Sequence, residues 1–320
     1  MRSDTLDVVV GPLSPISPDQ DDFAKAAADR AGRGISQPRK RHYRESLAHH
    51  GQVSPLFITD LVQLHLVGGS IADIGCGAGV PVSIIRARWP WTMPFIDEGI
   101  TDPTFVGIDF SPRAVSYAET YGAYDRVVLA ESASLPLGDQ EVDVALSIEN
   151  LEHLYPDEVG PALAELVRIA RRRVIISTPW PWDVVNVRWI ESELREARAD
   201  SDPMDRAEFH VLAGAVHKST LLPEQMAAAG FRCASLARGG VPTAHPVYVG
   251  EVGSVDVSKL GSIIGIKRVE VPDGEADYGP GYCALLEASL GLRQRVPRFK
   301  PSWYPRVLFH RVRSLLGDRD

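Results

Sequence analysis

From Ile71 onward the chain alternates short continuous apolar runs with longer segments whose apolar residues recur at helical spacing. The runs Ile71–Ile74, Phe105–Ile108, Val127–Ala130, Val142–Ile148 and Val174–Ser177 predict strands, and Gly79–Arg88, Pro112–Tyr121 and Gly160–Arg171 predict helices between them. Strands with no polar face need cover on both sides, so this alternation implies an α/β fold with a parallel sheet and helices on each face. Ligands of such sheets lie beyond the carboxyl ends of the strands, which directs attention to the loops that follow them.

Upstream, Leu47, Val53, Leu56, Phe57, Leu61, Leu64 and Leu66 are spaced as on helices interrupted at Gly51 and Pro55, predicting two helices before the first strand. Residues 1–34 carry Pro12, Pro15 and Pro18 and then Asp19, Asp21 and Asp22, and read as a disordered segment with one short helix near Asp22–Arg30. After Pro179 come a turn rich in tryptophan (Trp180, Trp182), a charged helix around Trp189–Ala199 and a helix Leu221–Ala229 that stops at Gly230. Cys233–Ala237 and Tyr282–Leu286 are predicted as the last two strands, with Ser262–Ile266 and Val269–Val271 as extra strands between them.

Composition narrows the functional classes. The chain has 320 residues, 44% of them hydrophobic, enough for a sizeable core. Its 34 Lys+Arg stand against 42 Asp+Glu, a net charge of −8, which argues against a protein that coats nucleic acid. Cys76, Cys233 and Cys283 lie too far apart in sequence for a disulfide framework or paired zinc ligands, and neither a secretory signal nor an apolar stretch of about 18 residues is visible, so a cytoplasmic protein is expected. The tail 291–320 departs from the average: Arg293, Arg295, Arg298, Lys300, Arg306, Arg311, Arg313 and Arg319 are interleaved with Trp303, Tyr304, Val307, Leu308, Phe309, Leu315 and Leu316. A basic amphipathic segment of this kind suits a peripheral membrane surface or a protein partner.

The first loop of interest is Ala72-Asp73-Ile74-Gly75-Cys76-Gly77-Ala78-Gly79, at a strand-to-helix junction. Glycines there permit a tight turn and close approach of backbone to ligand. The dinucleotide pattern Gly-x-Gly-x-x-Gly is absent, because counting from Gly75 or Gly77 ends on Val80 or Val82. The sequence Asp73 to Gly79 resembles the first motif of class I S-adenosylmethionine-dependent methyltransferases, of the ubiquinone-type and small-molecule O-methyltransferase-like group, and four further segments agree in order. Val106-Gly107-Ile108-Asp109-Phe110-Ser111 is similar to the segment that supplies an acid to the ribose hydroxyls. Ala130-Glu131-Ser132-Ala133-Ser134-Leu135-Pro136-Leu137 is similar to the adenine-contacting segment, with Glu131 where aspartate is usual. Val142 to Ile148 followed by Glu149-Asn150-Leu151-Glu152-His153-Leu154 resembles the fourth strand and the Leu-Glu-His-Leu segment beside the reacting methyl. Leu166 to Arg171 followed by Val174 to Pro179 resembles the last core helix and fifth strand, with Arg172 and Arg173 in place of the usual Pro-Gly-Gly turn.

The resemblance implies a Rossmann-like doubly wound seven-stranded sheet, mostly parallel with an antiparallel last strand, plus N-terminal helices and an inserted lid. It divides the chain into residues 1–34, a helical cap 35–67, a methyltransferase domain 68–290 with insertions at 89–103 and 240–280, and the tail 291–320. By the same resemblance the cofactor is S-adenosyl-L-methionine, contacted by Asp73, Gly75, Cys76, Gly77, Gly79, Asp109, Phe110, Glu131, Ser132 and Glu149. Methyl transfer to a hydroxyl needs a proton acceptor, for which His153, His210 and His217 are the candidates. The last two lie in Phe209-His210-Val211 through His217-Lys218, similar to the family's stretch ahead of its penultimate helix.

No Asp-Asp-Asn set or histidine-rich spacing marks a metal site, so none is expected. No Asn/Asp-Pro-Pro-aromatic sequence or Pro-Cys nucleophile follows the fourth strand, so nucleic-acid bases are not expected acceptors. The expected activity is methylation of a small or medium-sized acceptor at oxygen, such as a natural product, glycan or lipid-linked metabolite. The alternatives are a small-molecule N-methyltransferase, a catalytically silent cofactor-binding or scaffold protein and, more remotely, a nicotinamide-dependent dehydrogenase.

Overall fold

The computed structural model describes residues 54–87, 103–179, 216–234, 237–238, 241–242, 245–269, 284–285 and 287–288. The chain divides into Met1–Tyr43 and Arg44–Asp320, and all described residues lie in the second unit. His210, the segment 1–34, the loop 89–102, the Trp-rich turn with the helix after it, and the tail 291–320 fall outside them.

In chain order the described elements are α1 (Ser54–Gln63), β1 (Ser70–Ile74), α2 (80–87), β2 (Thr104–Asp109), α3 (Pro112–Tyr121), β3 (Arg126–Leu129), β4 (Val142–Ile148), a single 3₁₀ turn (Leu151–His153), α4 (Pro156–Ile169) and β5 (Ala170–Ser177). There follow β6 (Ser219–Thr220), α5 (Pro223–Ala228), β7 (Arg232–Ala234), β8 (Ala237–Arg238), β9 (Val241–Pro242), β10 (Val247–Glu251) and β11 (Ile264–Gly265). Seven strands form one sheet in the order β3-β2-β1-β4-β5-β10-β7, parallel except for β10, which runs antiparallel to both of its neighbours. The doubly wound, mostly parallel sheet expected from the sequence is present. Its strand order reverses between β1 and β4, the crevice at which such sheets bind ligands.

Period-2 alternation sends neighbouring residues of each strand to opposite faces, and both faces are buried. Ala72, Ile74, Ala145, Val174, Ile176 and Tyr248 join Leu163 and Leu166 of α4 and Met226 of α5 in one core. Ile71, Val144, Leu146, Ile175, Val247 and Val249 join Ile58, Leu61 and Val62 of α1 and Val82 and Ile85 of α2 in the other. Helix α3 matches its sequence boundaries because Ser111 caps it, Pro112 opens it, and Gly122 closes it at φ 64°.

Two expectations are corrected. The strand that completes the sheet is Val247–Glu251, not Tyr282–Leu286, whose described residues 284 and 285 are helical. A five-residue apolar run cannot be told from a buried helical segment by periodicity alone. The span 240–280 therefore contains a strand of the sheet itself, and its later part packs back on α4, where Arg268 pairs with Asp157 and Glu158 and Val269 meets the Tyr155 hydroxyl. At the other end of α4 no turn intervenes before β5. Arg171 is bound by Asp143, and Arg173 by Glu251 and the His65 carbonyl, so the two basic side chains fasten the start of β5 to its surroundings.

Candidate active site

The glycine loop after β1 is held by its own hydrogen bonds. The N–H groups of Gly75 and Cys76 both donate to the Ile108 carbonyl at 2.8 and 3.1 Å, and the Gly79 N–H donates to the Cys76 carbonyl at 2.9 Å. Gly75, Gly77 and Gly79 take φ values of 75°, 53° and 80°, in the left-handed region where a side chain is strained. Space is also limiting at Gly75 and Gly79: a Cβ on Gly75 would overlap the Asn150 side chain, and one on Gly79 would press on Ala123 and Tyr124, whereas the position over Gly77 is open.

Asp109, at the end of β2, joins the two adjacent loops. One of its oxygens accepts from the Gly77 N–H and the other from the Ser111 N–H, each at 2.9 Å. Each carboxylate oxygen keeps a second acceptor direction, which suits a pair of vicinal hydroxyls. Phe110, immediately after it, is 62% exposed, and an aromatic left this open beside a buried acid offers a face for a planar ligand. Glu131 is exposed and Ser132 half-buried in the loop after β3, where Ser132 Oγ lies 3.4 Å from the Asn150 amide nitrogen.

Asp73 is 2% exposed at the end of β1, and one of its oxygens accepts from the Tyr124 hydroxyl at 2.6 Å. The other oxygen is buried without a hydrogen-bond donor. Burial pushes the Asp73 carboxyl up to about 6, and the Asp109 charge adds to this while the Tyr124 hydrogen bond opposes it. Cys76 is buried in the same place, and burial beside the two acids raises its thiol, so it is a packing residue and not a nucleophile.

The loop after β4 carries the second concentration of polar groups. Glu149 has φ 52°, unusual for a residue with a side chain, and its N–H donates to the Ser177 carbonyl at 2.9 Å. Its carboxylate is occupied: Oε1 accepts from the Ser177 hydroxyl and Oε2 meets Nδ1 of His245, both at 2.6 Å. The sequence places Glu149 among the cofactor contacts, while in the structure Asn150 is the residue of this loop that packs against Gly75.

His153 ends the 3₁₀ turn, and His217 lies just before β6. Their ring centroids are 5.0 Å apart in an edge-to-face arrangement. Hydrogen bonds to the carbonyls of the 3₁₀ turn bring them together: the Lys218 N–H donates to the Glu152 carbonyl at 2.7 Å, Lys218 Nζ to the His153 carbonyl at 2.9 Å and the Ser219 hydroxyl to the Leu151 carbonyl at 3.1 Å. Burial and the Lys218 ammonium hold the His153 imidazole below its ordinary pKa, so it is neutral at neutral pH. Burial lowers Lys218 as well, to about 8, against the attraction of Glu158. One ligating atom each from Glu152, His153 and His217 falls within a sphere of contacts no longer than 4.8 Å. Two of the three predicted histidines are thus brought together, and the third, His210, is outside the described residues. Tyr124, Asn150, Ser177, Glu152 and His245 carried no role in the sequence reading, although Glu152 lies inside the quoted Leu-Glu-His-Leu segment.

Residues 72–177, which contain both loops, match the family model described as a methyltransferase domain. They form a class I S-adenosylmethionine-dependent methyltransferase domain, and the cofactor is S-adenosylmethionine. The chain is similar to several solved structures. A S-adenosylmethionine-dependent methyltransferase from Thermotoga maritima, described as a possible histamine N-methyltransferase, is 18% identical, with 66% of this chain and 95% of that one covered and a TM-score of 0.40. Magnesium protoporphyrin IX methyltransferase from Synechocystis PCC 6803, with S-adenosylmethionine bound, is 15% identical over 71% of this chain and 91% of that one, with a TM-score of 0.37. A S-adenosylmethionine-dependent methyltransferase from Aquifex aeolicus is 19% identical over 62% and 91%, also with a TM-score of 0.37. No curated protein matches. The residues present fit the cofactor: the orphaned buried oxygen of Asp73 and the open position over Gly77 belong to the end of β1 and the loop after it, and the acid at Asp109, at the end of the neighbouring β2, is hydrogen-bonded to that loop. Among the described residues no helix is long and apolar enough to cross a membrane.

Proposed function

We propose that this methyltransferase acts on a small or medium-sized acceptor and that the accepting atom is oxygen. When bound, S-adenosylmethionine supplies a methyl group on a sulfonium, and its thioether leaving group needs no acid. The protein's part is therefore to position the two partners, exclude water and manage the acceptor's proton. Asp109 holds the ribose hydroxyls, Phe110 and the loop of Glu131 and Ser132 meet the base, and the Asp73–Gly79 loop carries the methionine end.

The observation that carries the choice of oxygen is the cluster of Glu152, His153 and His217 at the carboxyl end of β4. A hydroxyl is protonated at neutral pH and needs help to lose its proton, whereas an amine that is already neutral needs none. Neutral His153 and half-buried His217, 5.0 Å apart, are suited to that task. The test is transfer of labelled methyl from S-adenosylmethionine to a panel of small phenols, alcohols and amines. The reading expects ether products and fails if amines alone are methylated.

A further inference from the structure

Glu152 is 3% exposed, and neither of its carboxylate oxygens receives a hydrogen bond. A carboxylate buried without donors is strongly unfavourable unless a cation accompanies it. The charged groups around it do not meet that need. Glu149, three residues earlier, carries a like charge; the Lys218 ammonium is bonded to the His153 carbonyl at 2.9 Å; and Nε2 of His153 lies 3.9 Å from Glu152 Oε1, beyond hydrogen-bond reach.

The neighbours of Glu152 are instead arranged as ligands. Nδ1 of His153 lies 3.4 Å from the Val216 carbonyl, and with the proton assigned to Nδ1 the Nε2 lone pair is available 3.9 Å from Glu152 Oε1. A backbone carbonyl on the far ring nitrogen is the usual means by which a metal-binding histidine is oriented. His217 supplies a third ligand atom, within 4.8 Å of the other two. Bonds of about 2.0–2.2 Å place neighbouring ligand atoms roughly 3–4 Å apart, so side-chain shifts of up to about 1.5 Å close the site.

We infer that Glu152, His153 and His217 bind a divalent transition-metal ion, which takes an acceptor oxygen as a further ligand. Two imidazoles and one carboxylate suit zinc, manganese, iron or cobalt over calcium or magnesium, which prefer oxygen ligands throughout. One negative charge against two positive leaves an electropositive centre with open coordination positions. A hydroxyl bound there has a lowered pKa. With both imidazoles on the ion, His153 and His217 act on the hydroxyl through the ion, and its proton leaves to solvent; the O–C bond forms as the C–S bond breaks, and the electron pair of the latter stays on the neutral thioether. This second half rests on the methyl-transfer reading above, while ion binding does not. The spacing of 152, 153 and 217 along the chain conceals the site, which exists because the Lys218 and Ser219 bonds fold that strap onto the 3₁₀ turn.

The test is calorimetric titration of chelator-treated full-length protein with Zn²⁺, Mn²⁺ and Mg²⁺, with S-adenosylhomocysteine titrated into the same samples. One equivalent of Zn²⁺ or Mn²⁺ is expected, bound at least about tenfold more tightly than Mg²⁺, and weakened about tenfold or more by His217→Ala and by Glu152→Gln. In chelator, Glu152→Gln is expected to melt close to the parent, because the amide keeps the shape of the side chain, and to gain nothing from added Zn²⁺, whereas the parent gains. Absence of saturable binding, or equal binding by parent and both variants, overturns the ion. If S-adenosylhomocysteine still binds in that case, only the ion site fails. If the ion binds and S-adenosylhomocysteine does not, methyl transfer fails and the ion site stands.

Discussion

The Tyr124 hydroxyl donates at 2.6 Å to Asp73, from the turn before β3 to the end of β1, and among the described residues it is the only hydrogen bond to the side chain of an acid whose other oxygen is buried without a donor. The Tyr124 ring also lies against Gly79 and Gly107, so one side chain sets the height of the glycine loop, fills the space beneath it and neutralises part of the cost of burying Asp73. Tyr124→Phe retains the ring and removes the bond. It is expected to lower stability by about 1.5–3 kcal/mol, the scale of a hydrogen bond to a charged group, as measured by urea unfolding at pH 7.5. A change within error would show that the hydroxyl is not needed to hold the acid.

The raised pKa of Asp73 has a consequence of definite sign. In the fold this carboxyl keeps its proton up to about pH 6, while the unfolded chain releases it near the ordinary aspartate value of 3.8. The folded state therefore binds more protons in that window, and the stability this group contributes falls as pH rises from about 4 to 6. Asp73→Asn cannot titrate. The ligand-free variant is expected to be more stable than the parent at pH 7.5 by up to about 3 kcal/mol, with the gap closing near pH 4. Unfolding curves at the two pH values check this, and a gap independent of pH contradicts it.

A methyl group added at Gly107 in β2 meets three atoms of the Tyr124 ring at 2.8–2.9 Å. The ring is fixed by its bond to Asp73 and cannot retreat freely. Gly107→Ala is expected to cost about 1–3 kcal/mol by overpacking and to lower the melting temperature. Gly69→Ala, where nothing lies within 4 Å, serves as the control and is expected to melt close to the parent.

The histidine cluster predicts a kinetic phenotype without a cofactor-binding one. His153→Ala or His217→Ala is expected to lower turnover at least about tenfold while leaving affinity for S-adenosylhomocysteine in place. His210→Ala belongs in the same series, since the sequence ranks it with the other two. Full activity in all three variants would remove the histidines from the handling of the acceptor's proton.

The sheet was legible in the sequence because its strands are continuous apolar runs bounded by glycine or acid. Val142–Ile148 and Pro112–Tyr121 fall where the pattern puts them. The glycine loop and Asp109 were legible because positive φ and a carboxylate at a strand end leave a mark in residue type. Strand Val247–Glu251 was not, because Gly250 interrupts its apolar run and the competing run at Tyr282–Leu286 looks stronger. The polar cluster was half legible. His153 stands in a recognisable segment, but its approach to His217 depends on hydrogen bonds between residues about 65 positions apart, which no local pattern encodes. Tyr124 was hidden for a similar reason: an isolated tyrosine ahead of a strand gives no sign that its hydroxyl reaches a buried acid 51 positions away.

The account rests most heavily on the cradle formed by Gly77 and Asp109, and titration of S-adenosylhomocysteine into the parent and Asp109→Ala in a calorimeter tests it most directly. Removing the carboxylate deletes the acceptor for the ribose hydroxyls and frees the Gly77 N–H that now donates to it at 2.9 Å. Binding by the parent with one equivalent, weakened in the variant by roughly 1.5–3 kcal/mol or about tenfold to more than a hundredfold, is the predicted result. Equal affinity in the two proteins, or no binding by the parent, would contradict it.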